Sequence, residues 1–325
     1  MNRFKDKELT EKKQMDIIKA SKLKARWNTI LTILTIILII VPATFFLSVA
    51  YYSVSSKANN EIIAAETIYS LTRPNLQIGD MEMESEITPF FGLHLSAPLY
   101  KQVGGVIFNA GDYHTEITPG NNQDVTEKLL INDIPMSAMD QEYVFQYPSN
   151  NPLRNHLTLG WEQLENVSEG TVSEAYLSLD KAYASEEIKD LIAEYDIDLV
   201  WNAVDTGVEK EMVDEEGRFV SPIGYPENNE APANSNFESE DNQELFMEQL
   251  QFLDQHEAMV NSIRPDISMA AQERLKYLKE NDIRIYGIVV TGPSKEILKM
   301  ERQEAFKGIY IGETENWNWN KREGY

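Results

Sequence analysis

The sequence contains no cysteine in its 325 residues. This absence excludes disulfide bonds, thiol catalysis and cysteine-ligated zinc. Histidine is scarce too: His94, His114, His156 and His256 are scattered, and none has the spacing of metal ligands. We therefore expect no metal and no cofactor. Any large domain in this chain must be held together by its core alone.

Motifs for catalysis are absent as well. The chain has no glycine-rich phosphate loop, no H-E-x-x-H helix and no G-x-S-x-G elbow. The stretch from Val289 to Ser294 resembles a strand-to-helix turn that could hold an anion, but Gly292, Pro293 and Ser294 also fit a purely structural turn and cap. The sequence predicts no catalytic residues and a protein that is not an enzyme.

One long stretch lacks any charge. Ile30 to Tyr52 contains 23 residues without Asp, Glu, Lys or Arg. As a helix it would be about 35 Å long, and the hydrocarbon core of a bilayer is about 30 Å thick. The alternative is a cleaved secretory signal ending near Ser48-Val49-Ala50, but the apolar core of such signals is usually about 7–15 residues. The length favours a retained membrane span, with Pro42 inside it.

Charge is distributed unequally on the two sides of this span. Residues 1–29 contain nine basic and four acidic residues, so their net charge is +5. Subtracting them from the 29 basic and 53 acidic residues of the whole chain leaves 20 and 49, a net charge of −29. Because basic flanks stay in the cytoplasm, we expect a cytoplasmic N-terminus and an extracytoplasmic C-terminal region. The acidic charge excludes direct binding of nucleic acid by that region.

These patterns predict a single-pass membrane protein with four parts. They are a cytoplasmic basic head (1–28), a transmembrane helix (29–54), a membrane-proximal extracytoplasmic module (55–165) and a distal domain (166–320). The proximal module is predicted to be β-rich after a helix over Asn59–Ser70. Its predicted strands include Ile87–Leu95, Val103–Phe108 and Val144–Tyr147, with a turn at Pro119 to Asn122.

The distal domain alternates between strand and helix patterns. Alternating or buried apolar runs predict strands at Val172–Leu179, Leu199–Val204, Ile283–Val290 and Lys307–Gly312. Helices are predicted from Ser185 to Tyr195, from Gln243 to Ile263, around Ala271, Leu275 and Leu278, and after Ser294. The order β-α-β-α-α-β-α-β indicates a mixed or antiparallel sheet covered by helices, which is an α+β fold.

The head is rich in helix formers but has no clean apolar stripe. Two interpretations remain open: a solvated anchor beside the membrane, or a helix that orders on a cytoplasmic partner. For the second, the candidate partner-binding residues combine one apolar side with the basic cluster around it. They are Lys12, Lys13, Met15, Ile18, Lys19, Lys22 and Leu23.

Four motifs in order resemble those of the sigma factor regulators of Gram-positive bacteria. They are Lys22 to Asn28 before the span, Ala175 to Tyr183, Leu199 to Gly207 and Ile285 to Pro293. The resemblance covers roughly residues 15–60 and 165–320. It implies an anti-sigma factor, which holds an extracytoplasmic-function sigma factor at the membrane until envelope stress releases it.

The same resemblance implies no catalytic residues. The chain lacks the cytoplasmic His-and-Cys zinc domain of another class of anti-sigma factors. Because the predicted head is little more than one helix, a second small membrane protein is expected to share the binding of the sigma factor. The alternative is a membrane-tethered extracellular binding or scaffold domain that has no sigma partner.

Overall fold

The computed structural model describes residues 2–79, 83–118, 122–130, 144–149, 153–210, 219–233 and 235–321. The predicted turn at Pro119 to Asn122 lies mostly outside this range. The chain forms two compact units. Unit 1 comprises Met1–Ser55 and Ile87–Gly92, and unit 2 comprises Ser56–Glu86 and Leu93–Tyr325.

Unit 1 is dominated by one helix. Helix α1 (Asn2–Ser55) runs without interruption through Pro42. Its part from Met15 to Ser55 is long and apolar enough to cross a membrane. Threonine and serine hydroxyls in this part donate to carbonyls one turn back, as Thr35 does to Leu31 at 2.8 Å, which leaves them satisfied without water. The helix therefore suits a membrane anchor in composition and in hydrogen bonding.

Unit 2 begins with a helix and most of an antiparallel sheet, of which only Ile87, Thr88 and Gly92 belong to unit 1. The elements are α2 (Lys57–Thr72), β1 (Leu76–Ile78), β2 (Glu84–Thr88), β3 (Gly92–Val103), β4 (Val106–Thr118) and β5 (Asn122–Leu129). The strand order is β1-β3-β4-β5, and β2 also pairs with β3. Strand β3 alternates strictly between buried and partly exposed residues, the period expected for a sheet with one buried face.

A second antiparallel sheet follows in the order β12-β6-β11-β7-β9. Its strands are β6 (Thr171–Tyr183), β7 (Asp198–Val204), β9 (Gly224–Pro226), β11 (Ile285–Pro293) and β12 (Phe306–Asn316), and β8 (Phe219–Val220) pairs with β10 (Ile267–Ser268) in a small parallel pair. Strands β6 and β11 are buried over most of their length, because the sheet is covered on both faces.

The helices of unit 2 cover these sheets. They are α3 (Asn155–Glu165), α4 (Ser185–Ile192), α5 (Asn242–Gln255), α6 (Glu257–Ile263), α7 (Ala271–Glu280) and α8 (Ser294–Lys299). One face of the second sheet packs against Trp161, Ile188 and Ile297. Another core cluster joins Tyr69 of α2 and Leu99 of the first sheet to helices α5 to α7. Residues on both sides of the predicted boundary at 165 thus share one core.

The α+β class with antiparallel sheets is confirmed, but several predicted elements are wrong in detail. Val103–Phe108 is not one strand, because a turn at Gly104-Gly105 separates β3 from β4. Val144–Tyr147 is not a strand: Val144 and Phe145 are buried in a core cluster without strand pairing. The predicted strand Ile87–Leu95 is interrupted by a 3-10 turn at Pro89–Phe91.

The distal order also differs from the prediction. The predicted helix from Gln243 to Ile263 is broken at His256, whose φ of −120° separates α5 from α6. The short strands β8, β9 and β10 lie between the predicted elements. Two or three residues are too few to produce an alternating pattern, and these strands exist only because a neighbouring strand pairs with them.

A buried carboxylate joins the two sheets. Glu174 of β6 is fully buried, and its Oε2 lies 2.9 Å from Nζ of Lys101 on β3, which is also buried. The other oxygen accepts hydrogen bonds from Asn75 Nδ2 at 2.6 Å and from the hydroxyl of Tyr176 at 3.0 Å. The backbone N–H of Glu313 donates to Oε2 at 3.2 Å. The charge is therefore paired and surrounded by donors, as a buried ion requires.

Replacing Lys101 by methionine tests this ion pair. Lys101→Met leaves the Glu174 charge buried without its cation, so we expect the free energy of unfolding to fall by about 3–5 kcal/mol. Adding Glu174→Gln removes the charge and should restore at least half of the loss. The measurement is urea unfolding of the full chain in detergent, monitored by the fluorescence of the buried tryptophans.

The matched control is Lys299→Met. Lys299 pairs with Glu296 on the surface, and such pairs contribute about 0–1 kcal/mol. Equal effects of Lys101→Met and Lys299→Met would show that the buried pair does not stabilise the docking of the sheets.

Candidate functional site

The candidate partner-binding residues all lie on helix α1 of unit 1. Lys12 and Lys13 lie in the part where only the backbone is described. At about 100° per residue, Lys19 and Lys22 are within about 40° of Met15, and Ile18 is about 60° away. Leu23 is about 80° from Met15 on the other side, and position 13 points to the opposite face. The helix thus brings most of the set together but not Lys13.

The side chains on this face are accessible. Met15, Ile18 and Leu23 are 57%, 53% and 59% exposed. Exposed aliphatic side chains flanked by lysines give a helix face that can bury apolar area against a protein while its charges stay at the rim. We refer to Met15, Ile18, Lys19 and Lys22 as the head face.

Unit 2 contains a second charged cluster that sequence reasoning missed. Arg274 of α7 is fully buried, and its Nη1 lies 2.7 Å from Oε1 of Glu209. The guanidinium also donates to the carbonyls of Met269 at 2.8 Å and Ser221 at 2.6 Å. Burial lowers the pKa of Arg274, and the Glu209 carboxylate opposes this shift. The signal was present, because Arg274 occupies a position in the apolar stripe of its helix.

Next to this cluster lies the Asp205-Thr206-Gly207 motif. The Asp205 carboxylate accepts from the hydroxyl of Tyr147 at 2.9 Å and from that of Tyr277 at 3.4 Å. Burial raises the pKa of Tyr147, and its hydrogen bond to Asp205 raises it further. Arg274 Nη1 donates to Thr206 Oγ1 at 2.8 Å. These groups bind one another and fix the loop that follows β7.

The Glu174 and Arg274 clusters stabilise the fold and are not arranged to carry out a reaction. Their carboxylates are occupied by fixed protein donors, which leaves no free acid or base facing solvent. Within the described residues, no group of three or more His, Asp or Glu could hold a metal ion. The sequence signal for Lys101 and Glu174 was the same: each is a charged residue at an inward-facing position of a strand, where the alternating pattern would place an apolar residue.

A cleft of about 680 Å³ opens in unit 2. It lies between strands β1 and β3 of the first sheet and β7 and β9 of the second. The lining is rich in amides and includes Asn75, Gln102, Asn229, Tyr100 and Trp201. The Trp201 indole already donates to the carbonyl of Ser70 at 3.0 Å, so this part of the cleft wall is held by a hydrogen bond between β7 and α2.

One long apolar helix joined to an α+β unit, with charged clusters that serve the fold, defines a membrane-anchored binding or regulatory protein. Residues 15–107 match the family described as sigma factor regulator N-terminal, and residues 164–313 match sigma factor regulator C-terminal. A relative is 30% identical over 321 residues, which cover 97% of this chain and 86% of that protein. That relative is the "Probable anti-sigma-M factor YhdL" of Bacillus subtilis (strain 168).

The chain belongs to the sigma factor regulator family, and the comparisons support an anti-sigma factor role. The family membership confirms the resemblance predicted from the four motifs. It points to a regulatory rather than a catalytic protein, with a sigma factor as partner. No solved structure shows significant similarity to the chain.

The Asp205-Thr206-Gly207 motif gives a testable prediction. Gly207 has a φ of +88°, and an added Cβ would lie 2.5 Å from the Tyr277 ring. Gly170 has a similar φ of +80° but no atom within 4 Å of the added Cβ. Gly170→Ala should lose about 1 kcal/mol of stability from backbone strain, and Gly207→Ala about 2–4 kcal/mol because overpacking is added.

Thermal unfolding of the full chain in detergent measures both variants. A Gly207→Ala variant no less stable than Gly170→Ala would contradict the tight packing of the motif against Tyr277.

Proposed function

We propose that this protein is a single-pass transmembrane anti-sigma factor that sequesters an extracytoplasmic-function sigma factor through its head face and responds to envelope stress. The observation that supports the proposal is the continuity of α1 from Asn2 to Ser55, because the exposed Met15 and Ile18 and an apolar stretch long enough to cross a membrane lie on one helix. Membership of the sigma factor regulator family supports the class of partner.

The proposed topology follows from charge. A head of +5 and a C-terminal region of −29 favour a cytoplasmic N-terminus and an extracytoplasmic unit 2. We assign residues 1–28 to the cytoplasm, 29–54 to the membrane, 55–165 to the proximal module and 166–320 to the distal regulator domain. Only this orientation gives the head face access to a sigma factor.

The head face is proposed to bind an apolar or acidic patch of the sigma factor. Lys19 and Lys22 are exposed, and a basic face would be repelled by the DNA-binding surface of such a factor, which is itself basic. Because one helix offers little contact area, a second small membrane protein is proposed to complete the binding surface.

Charge substitutions on the head face test this proposal. An aspartate at Met15 and at Ile18 would place two buried charges in the contact, so capture of the sigma factor should weaken by about tenfold or more. The measurement is binding of the purified sigma factor to the full chain in lipid nanodiscs, together with a reporter of a target promoter, whose expression should rise.

Ile17→Asp is the matched control. Ile17 is 65% exposed and lies about 160° from Met15 and about 100° from Ile18 around the helix, outside the head face. Equal effects of Ile17→Asp and Ile18→Asp would reject the head face as the contact. Deletion of residues 1–22 should raise the reporter while the protein stays in the membrane.

The second candidate is a membrane-tethered extracellular binding or scaffold domain without a sigma partner. The amide-rich cleft of unit 2 favours it, because such linings suit a polar ligand. The two functions are separated by exchanging the head for an unrelated basic helix. If the protein is an anti-sigma factor, expression of the reporter should then rise. If it is a tethered binding domain, transcription of the reporter should not change.

A further inference from the structure

A short turn outside the helix binds the end of the apolar segment. Residues 87–92 belong to unit 1, together with α1. The backbone N–H of Phe91 donates to Ser48 Oγ at 2.8 Å, and the Tyr52 hydroxyl donates to the carbonyl of Phe91 at 2.9 Å. The rings of Tyr51 and Phe91 pack edge to face with centroids 5.5 Å apart.

This contact changes the local exposure of the helix. Ser48 is fully buried and Tyr52 is 7% exposed, whereas Phe46 is 70% exposed and Leu47 is 57% exposed. The turn therefore covers one side of the last turns of the span. The rest of the span, from residue 30 to 42, is exposed as expected for a surface that faces lipid.

The depth of the contact in a bilayer can be derived from the helix itself. Ser48 lies about 6 Å along the axis from Tyr52, where the apolar segment Ile30–Tyr52 ends and a serine-rich stretch begins at Ser53. Because that segment is only about 5 Å longer than the hydrocarbon core, Ser48 and Tyr52 bracket the boundary between acyl chains and headgroups. The Phe91 peptide group lies at the same level.

Backbone outside a helix is costly at this depth unless protein groups satisfy it. An unpaired N–H or C=O costs several kcal/mol in hydrocarbon, and irregular backbone is tolerated only where the protein provides partners. Both polar groups of Phe91 are bound by side chains of the span. A peptide group at the edge of the hydrocarbon requires such protein partners. A peptide group in water would be hydrogen-bonded by water and would not need them.

The conformation of the turn is strained and projects an aromatic ring. Phe90 and Phe91 have φ of 64° and 62°, a left-handed backbone conformation that bulky residues rarely adopt. Phe90 is 56% exposed. In water this turn would combine strain with an exposed apolar ring, whereas at a membrane interface the ring is transferred to a favourable environment.

We propose that the turn Thr88–Gly92 is a membrane-interface anchor, with the Phe90 ring inserted into the lipid interface at the Tyr52 end of the span. Its partner is the lipid surface, and Ser48 and Tyr52 hold it in place. The proposal rests on the membrane anchoring of α1 but not on binding of a sigma factor. It gives unit 1 a second point of attachment to the bilayer.

The absence of cysteine makes a direct test simple. Single cysteines are introduced by Phe90→Cys, Phe46→Cys and Ile17→Cys, labelled with the fluorophore NBD, and the full chain is placed in phosphatidylcholine nanodiscs, which expose both membrane faces. We expect quenching by aqueous iodide to be about threefold weaker at position 90 than at position 17, because interfacial probes are shielded. Doxyl groups near the headgroups should quench position 90 strongly.

The hydrogen bonds are tested in the same system. Ser48→Ala with Tyr52→Phe removes both side-chain partners of Phe91, so iodide access at position 90 should rise towards that at position 17. Thr44→Ala, which removes a hydroxyl bonded only within the helix, is the control and should leave access unchanged.

The outcomes separate the two proposals. If position 46 is shielded and position 90 is as accessible as position 17, the interface anchor is wrong and the membrane span stands. If position 46 is also accessible, the span and the anchor both fail. If position 90 stays shielded in the Ser48→Ala, Tyr52→Phe variant, the hydrogen bonds do not hold the turn. None of these results depends on a sigma factor.

Discussion

The burial of the Glu174 carboxylate is the constraint on which the rest of unit 2 depends. An ion taken out of water loses several kcal/mol of hydration, and only a close cation with further donors offsets that loss. The donors Lys101, Asn75 and Glu313 come from segments far apart in the sequence. The charge is therefore satisfied only when the two sheets have docked, which makes their docking cooperative. A chain without disulfides needs such a device or a large shared core, and this protein has both.

The Arg274 cluster repeats this design elsewhere in unit 2. A buried guanidinium binds Glu209, Thr206 and two carbonyls, and it fixes the loop that carries the Asp205-Thr206-Gly207 motif. The Asp205-Thr206-Gly207 motif thus has a structural reason: Asp205 binds two tyrosines, and Gly207 has a φ of +88° and lies close to the Tyr277 ring, where a Cβ would not fit. Nothing in this arrangement needs a reaction to explain it, in agreement with a regulatory family.

The sequence predicted what depends on local composition and period. The uncharged run from Ile30 to Tyr52, the strand with Trp201 and the α+β class were visible because each produces a pattern within its own residues. Elements decided by distant partners were missed. Val144 and Phe145 are apolar because they fill a core, not because they pair in a sheet, and His256 breaks a helix that periodicity alone would continue.

The candidate site shows the same division. The helix period alone puts Met15 and Ile18 about 60° apart on one side of α1, and their role in binding a partner stays a prediction. The contact of Phe91 with Ser48 joins residues 43 positions apart, and no local pattern announces it. The two charged clusters were detectable in principle, because each places a charge where its strand or helix otherwise buries apolar side chains, but the sequence does not show which opposite charge lies nearby.

The unbroken course of α1 has a mechanical consequence. Its 54 residues form a helix about 80 Å long. The turn at Phe91 contacts this helix near one end, and Met15 and Ile18 lie towards the other end. Because a helix resists twisting, a small rotation of the helix at its contact with the turn would rotate the distant side chains by a similar angle. Rotation of one continuous helix about its axis would then transmit a signal across the bilayer without any change in the length of the helix.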